Sequence, residues 1–227
     1  MKILISDKMS EKVEDVLKSK SIEYDIKTGM APEELKSVID QYDGILIRSA
    51  TKLTAEILAD CKNLKVVGRA GVGVDNVDLD TATKNKILVM NTPLGNLEAT
   101  AELTIGLMFS LYRHIHLANQ STHDGKWEKS KFMGTELKGK TLGIVGFGNI
   151  GQRVAEMASV IGMKIITNSN SASDEDLSKL GASKVSTEKL LTDSDVLSLH
   201  TKLNDNTKNM LNKSSIGTMK PSAVVIN

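Results

Sequence analysis

The chain has one cysteine, no excess of either charge sign and no long apolar run. Cys61 alone cannot close an internal disulfide, so a reducing compartment is expected. The cysteine and the four histidines show no metal-ligand spacing, and no metal site is expected. A net charge of +1, with the basic residues spread out, gives no pull towards nucleic acid or a membrane surface. No stretch approaches the roughly 18 apolar residues of a membrane span. The apolar run at Met1–Ser6 is too short for a secretion signal. No fixed-period repeat or low-complexity segment occurs. What is present is ordinary globular material, 40% hydrophobic and 25% charged in 227 residues, enough for one large or two small domains. A soluble cytoplasmic protein is the expectation.

Short apolar segments alternate with helical patterns over the first 92 residues. Strands are expected at residues 2–6, 22–26, 44–48, 64–68 and 87–90, with helices at 11–19, from Pro32 and at 54–59. Val13, Val16 and Leu17 share the apolar face of the first helix, with Ser10 placed to cap it; Leu35, Val38 and Ile39 share that of the second. From Leu97 to Leu117 one long helix is expected, apolar all round and therefore buried or partnered, broken at Asp124-Gly125-Lys126-Trp127. Trp127 is expected to pack. A second alternation starts after Gly139 and runs through strands at 141–145, 164–167, 184–186, 196–200 and 223–226. The fold class is therefore α/β, two Rossmann-like doubly wound parallel-sheet domains over 1–92 and 93–227, the second expected to be incomplete at its C-terminus.

Gly146-Phe147-Gly148-Asn149-Ile150-Gly151 is a G-x-G-x-x-G placed between an apolar strand and an amphipathic helix, the setting that makes this motif a dinucleotide site. Gly146 permits the tight turn, Gly148 lets a pyrophosphate approach the backbone, and Gly151 lets the helix pack on the sheet. The helix N-terminus supplies free N–H groups and partial positive charge. An acid that binds the adenosine ribose is expected about 20 residues on, yet the second strand ends at Thr167-Asn168-Ser169-Asn170. Ser169 can bind a hydroxyl but does not repel a 2′-phosphate. With no arginine nearby to attract that phosphate, NAD is favoured over NADP.

Further motifs span the whole chain. They are Ile47-Arg48-Ser49-Ala50-Thr51, the run Val67-Gly68-Arg69-Ala70-Gly71-Val72-Gly73-Val74-Asp75-Asn76-Val77-Asp78, and Val89-Met90-Asn91-Thr92-Pro93. Ala101-Glu102-Leu103-Thr104, Gly125-Lys126-Trp127 and Phe132-Met133-Gly134-Thr135-Glu136-Leu137 complete the set. In these the chain resembles the D-isomer-specific 2-hydroxyacid dehydrogenases, and among them the branch that oxidises 3-phosphoglycerate. The resemblance implies NAD-linked conversion of 3-phosphoglycerate to 3-phosphohydroxypyruvate, the first step of serine synthesis. Two alternatives stay open: a glyoxylate/hydroxypyruvate reductase type, and a non-catalytic NAD-binding module.

Only four of the 29 basic residues are arginine, and Arg48 and Arg69 stand at strand ends, where ligands of open α/β sheets bind. A guanidinium fork suits carboxylate or phosphate, and the resemblance assigns both arginines to the substrate. Gly71-Val72-Gly73 is a loop whose N–H groups can form a nest for the substrate carboxylate. The resemblance also brings Val72 to the cofactor, places Asn149 and Ile150 at the pyrophosphate and sets Thr201 beside the cofactor. Lys129 matches a position that can reach a phosphate. His114, His116, His123 and His200 are expected to be structural or exposed. The family's catalytic Arg, Glu and His match no residue here and are expected beyond Asn227, so the 227 residues alone are expected to be inactive. The resemblance further implies a hinge near Thr92 to Gly95, and a homodimer or higher homo-oligomer through the nucleotide-binding domain.

Overall fold

The computed structural model describes residues 1–227, which divide into two compact units, Met1–Asn96 and Leu97–Asn227. In the first, β1 (Lys2–Ile5), α1 (Lys12–Ser19), β2 (Glu23–Ile26), α2 (Pro32–Val38) and β3 (Gly44–Ile47) are followed by α3 (Ala55–Leu58), β4 (Val66–Arg69), α4 (Leu79–Lys84) and β5 (Leu88–Asn91). All five strands are parallel, in the order β2-β1-β3-β4-β5. Successive side chains of β1 point to opposite faces. Leu4 joins the core under α2 and α3 with Leu35, Ile39 and Leu58, whereas Ile3 and Ile5 pack with Leu17 of α1. A sheet covered on both faces needs such continuously apolar strands.

The second unit begins with α5 (Leu97–Tyr112) and α6 (Ile115–His123). It continues through β6 (Thr141–Val145), α7 (Asn149–Val160), β7 (Lys164–Thr167), α8 (Asp174–Lys179) and β8 (Ala182–Lys184). The chain then forms α9 (Thr187–Asp193), β9 (Val196–Leu199), α10 (Lys213–Thr218) and β10 (Val224–Ile226). Its sheet is also fully parallel, in the order β10-β9-β6-β7-β8. Leu142 and Ile144 face α5 and α7, packing with Met108, Val154 and Ala158. Val145 lies on the opposite face with Leu190 and Leu197. Serines cap α8 and α9: Ser173 accepts from Asp176 N and Ser186 from Lys189 N.

Several local expectations are corrected. The helix drawn over Leu97–Leu117 is two helices, because His114 takes a left-handed conformation at φ 51°. The freed Tyr112 carbonyl accepts Thr135 N–H at 2.9 Å instead of continuing the helical ladder. Nor is α5 buried all round. Ala101, Thr104 and Met108 are buried, while Leu103, Leu107 and Leu111, spaced four apart, remain exposed. Trp127 does not pack: it is 85% exposed in the loop after Gly125. Val16 likewise faces solvent, and Leu17 and Val13 carry the contact of α1. Ser10 bonds the Lys12 N–H only at 3.4 Å and is not the N-cap residue of α1. Two short helices, α4 and α10, arise where no helix is expected, each started by a side-chain cap, Asp78 and Asn212.

Candidate functional sites

In the first unit the strand ends gather the two candidate arginines. Arg69 closes β4 and Arg48 follows β3, neighbouring strands paired Ile47 to Arg69. With Ser49, Ala70, Gly71, Thr92, Gly95 and Asn96 they line a cavity of 360 Å³ that contains no acidic side chain. Arg48 Nη1 reaches only the Lys8 carbonyl, at 3.3 Å, and Arg69 Nε is buried without an acceptor. Arg153, by contrast, is saturated by Glu98 and Glu156 at 2.9 and 2.6 Å. Two guanidinium groups at one mouth without a counter-ion favour an anion, and an orphaned buried donor is costly until an acceptor arrives.

Gly71 lies against Arg69: a Cβ there would meet the guanidinium and displace it. The loop is tied to the end of β5, since Gly71 O accepts Thr92 N–H at 3.0 Å and Val72 O accepts Asn91 Nδ2 at 2.7 Å. Gly71 N–H itself donates to Arg69 O at 2.9 Å. The nest is therefore smaller than the three glycine-loop amides expected, and Val72 and Gly73 supply its free N–H groups.

In the second unit the order β8-β7-β6-β9-β10 reverses direction between β6 and β9, the switch point at which open α/β sheets bind dinucleotides. The glycine turn sits there. Gly146 has φ 87°, and a Cβ would lie 2.5 Å from His200 O and 2.8 Å from Thr201 N, so the segment just after β9 and the turn are in backbone contact. Thr201 is thereby placed beside the fingerprint. Gly151 faces the Gly146 carbonyl with no room for a Cβ. Gly148, the N-cap of α7, differs: a Cβ would meet nothing within 4 Å, and its φ of −80° suits any residue. Packing does not demand a glycine there. A ligand that approaches the backbone does, and the first-turn amides at Asn149 and Ile150 carry no side-chain cap. These residues fit a dinucleotide pyrophosphate.

Ser169 follows the end of β7, next to β6, with its hydroxyl 2.9 Å from that of Ser171. No acid occupies residues 167–173. Asp176, one turn into α8, is held by Ser173 Oγ at 2.7 Å and reached by Gln152 Nε2 at 3.5 Å. His200 lies at the switch point, its Nε2 2.8 Å from Ser198 Oγ, and burial pushes its pKa down. Lys129 lies on an exposed 3₁₀ turn, Lys129–Phe132. No cluster of three or more metal-ligating side chains occurs, and no helix is long and apolar enough to cross a membrane. Asp7 and Asn76, which hold the Arg48 loop, were missed by sequence reasoning. Their signal was a lone acid at a strand end and an amide inside the glycine-rich motif.

Residues 105–227 match the family described as D-isomer specific 2-hydroxyacid dehydrogenase, NAD binding domain. A D-3-phosphoglycerate dehydrogenase of Archaeoglobus fulgidus is 40% identical over all 227 residues, and the chain spans 43% of that relative's length. A hydroxypyruvate reductase of Thermotoga maritima is 39% identical over 226 residues, and the chain covers 73% of its length. Among solved structures, a protein of Thermus thermophilus superposes with a TM-score of 0.89 at 32% identity, over 99% of this chain and 72% of that one.

Proposed function

The chain belongs to the D-isomer-specific 2-hydroxyacid dehydrogenase family, and on that premise we propose that it is the substrate-recognising and nucleotide-binding part of an NAD-dependent oxidation of 3-phosphoglycerate. The observation that carries this reading is the acid-free cavity with two uncompensated arginines. A substrate with both a carboxylate and a phosphate matches two guanidinium groups; hydroxypyruvate or glyoxylate offers one anionic group only. Identity to a phosphoglycerate dehydrogenase points the same way. The reaction product is 3-phosphohydroxypyruvate, and the step is the first of serine synthesis. NAD, once bound at Gly146–Gly151, supplies the hydride acceptor. Ser169 would take the ribose hydroxyls, and Thr201, beside the Gly146 turn, would border the cofactor. A cytoplasmic location accords with the single, buried, free thiol of Cys61.

The chain's own residues orient and bind; we assign them no proton transfer. His200 is the one imidazole at either site. Its Nε2 is engaged by Ser198, no carboxylate orients its ring, and burial disfavours its charged form. Residues 1–227 alone are therefore expected to bind without turnover. Reduction of NAD by the purified chain with 3-phosphoglycerate would overturn that assignment. The exposed row Leu103, Leu107 and Leu111 on α5 is read as the face on which a second copy docks.

The competing reading is a hydroxypyruvate reductase, favoured by the 39% identity over most of such an enzyme. Calorimetric titration of the chain with 3-phosphoglycerate, hydroxypyruvate and glyoxylate separates the two. Phosphoglycerate is expected to bind at least about tenfold tighter, a difference of about 1.4 kcal/mol, and to lose that margin in Arg48→Ala and Arg69→Ala. Equal affinity for all three acids would favour the reductase.

A further inference from the structure

The first sheet also reverses its order, between β1 and β3. At that switch point lies Asp7, one residue past Ser6 and only 6% exposed. A buried carboxylate is unfavourable unless well bonded, and usually has a cation beside it. Asp7 has none. Its Oδ2 accepts Arg48 N–H at 2.5 Å, the Thr51 N–H is shared between Oδ1 at 3.1 Å and Oδ2 at 3.2 Å, and Oδ1 also accepts the Thr51 hydroxyl at 2.7 Å. Ser6 Oγ lies 2.9 Å from the same hydroxyl.

The opposite polarity of the same segment is held from another strand end. Asn76 Nδ2 donates to Arg48 O and to Thr51 O, both at 2.7 Å. Residues 48–51 are thus gripped by their N–H groups through Asp7 and by their carbonyls through Asn76. Lys8, next to Asp7, accepts from the Arg48 guanidinium through its backbone. A carboxylate suits the Asp7 position because it alone accepts three donors and offers none.

We propose that Asp7 and Asn76 are positioning residues for Arg48, clamping its backbone so that its guanidinium is presented at the mouth of the acid-free cavity to an anionic substrate. The inference rests on the reading of Arg48 as a substrate residue. Arginine loses much rotamer freedom on binding, so a fixed root and a fixed first contact raise affinity without touching the ligand. In Asp7→Asn an amide N–H₂ replaces an accepting oxygen and confronts at least one backbone donor, and the segment must shift.

The test is a double-mutant cycle on the 227-residue chain, titrated with 3-phosphoglycerate. Asp7→Asn and Arg48→Ala are each expected to weaken binding by about tenfold, and the double variant no more than Arg48→Ala alone, because Asp7 acts only through Arg48. A general loss of packing would instead multiply the two losses. Asn76→Asp, which keeps shape but removes the donors, is expected to couple in the same way, and decides the matter if Asp7→Asn does not fold. Multiplicative losses, or unchanged affinity in Asp7→Asn, overturn the inference while leaving Arg48 as a substrate residue. Unchanged affinity in Arg48→Ala overturns the substrate reading and the inference together.

Discussion

Replacing Gly148 and Gly151 separately by alanine distinguishes a glycine kept for a ligand from one kept for packing. At Gly151 the new Cβ runs into the Gly146 carbonyl oxygen and lies 3.2 Å from Gly146 C and 3.3 Å from Ile144 Cγ2. Both obstacles belong to β6 and its turn, so α7 as a whole must move off the sheet. Overpacking of this kind costs about 1–3 kcal/mol, and the rigid Gly146 backbone places Gly151→Ala at the upper end. At Gly148 the Cβ enters open space with φ at −80°. Two small effects then oppose each other: a stiffer unfolded chain stabilises by about 0.4–1 kcal/mol, and alanine is a poorer N-cap than glycine by a similar amount. Unfolding in urea should show Gly148→Ala within about 1 kcal/mol of the parent and Gly151→Ala clearly destabilised. Titration with NADH, followed by its fluorescence, should show the reverse emphasis. The Gly148 methyl occupies the space assigned to the pyrophosphate and should weaken NADH by at least about tenfold, or about 1.4 kcal/mol. A Gly148→Ala chain that binds NADH like the parent would refute the cradle; a Gly151→Ala chain as stable as the parent would refute the close packing of α7.

Three further outcomes are expected. Burial, with Asp40 and Asp60 close by, pushes the Cys61 thiol from its ordinary 9.0 up to about 11. The folded state therefore holds its proton where the unfolded chain loses it. This contribution is complete below about pH 9 and is lost as pH rises towards 11; a stability–pH profile of Cys61→Ala that falls as steeply as the parent's over that window would contradict it. Because residues 167–173 contain no acid, NADPH should bind within about tenfold of NADH, and Ser169→Asp should weaken NADPH selectively; strong rejection of NADPH by the parent would mean that another group, such as Asp176, discriminates. Leu107→Glu, in the middle of the exposed row on α5, should convert a dimer to a monomer in sedimentation, whereas a parent chain already monomeric at high concentration would remove the basis for that docking face.

Much of this molecule is legible in its sequence. Short continuous apolar runs and period-3.6 apolar patterns mark which segments become strands and helices, and their alternation leaves a parallel sheet as the outcome, because parallel strands require crossovers. The glycine fingerprint announced its chemistry through spacing, since a turn, a close approach and a helix packed on a sheet each exclude a Cβ at a definite step. What escaped was whatever depends on residues distant in sequence. A left-handed His114 splits an apparently continuous helix whose freed carbonyl is taken by Thr135, and no local pattern contains that bond. Trp127 and the Leu103–Leu111 row look like core material and are not, because burial depends on what packs opposite. Asp7 is one unremarked acid in the sequence, some 40 residues from Arg48 and Thr51. Strand order alone brings them together: hydrogen-bond partners are chosen by which strand ends become neighbours, and that choice is made only when the sheet assembles.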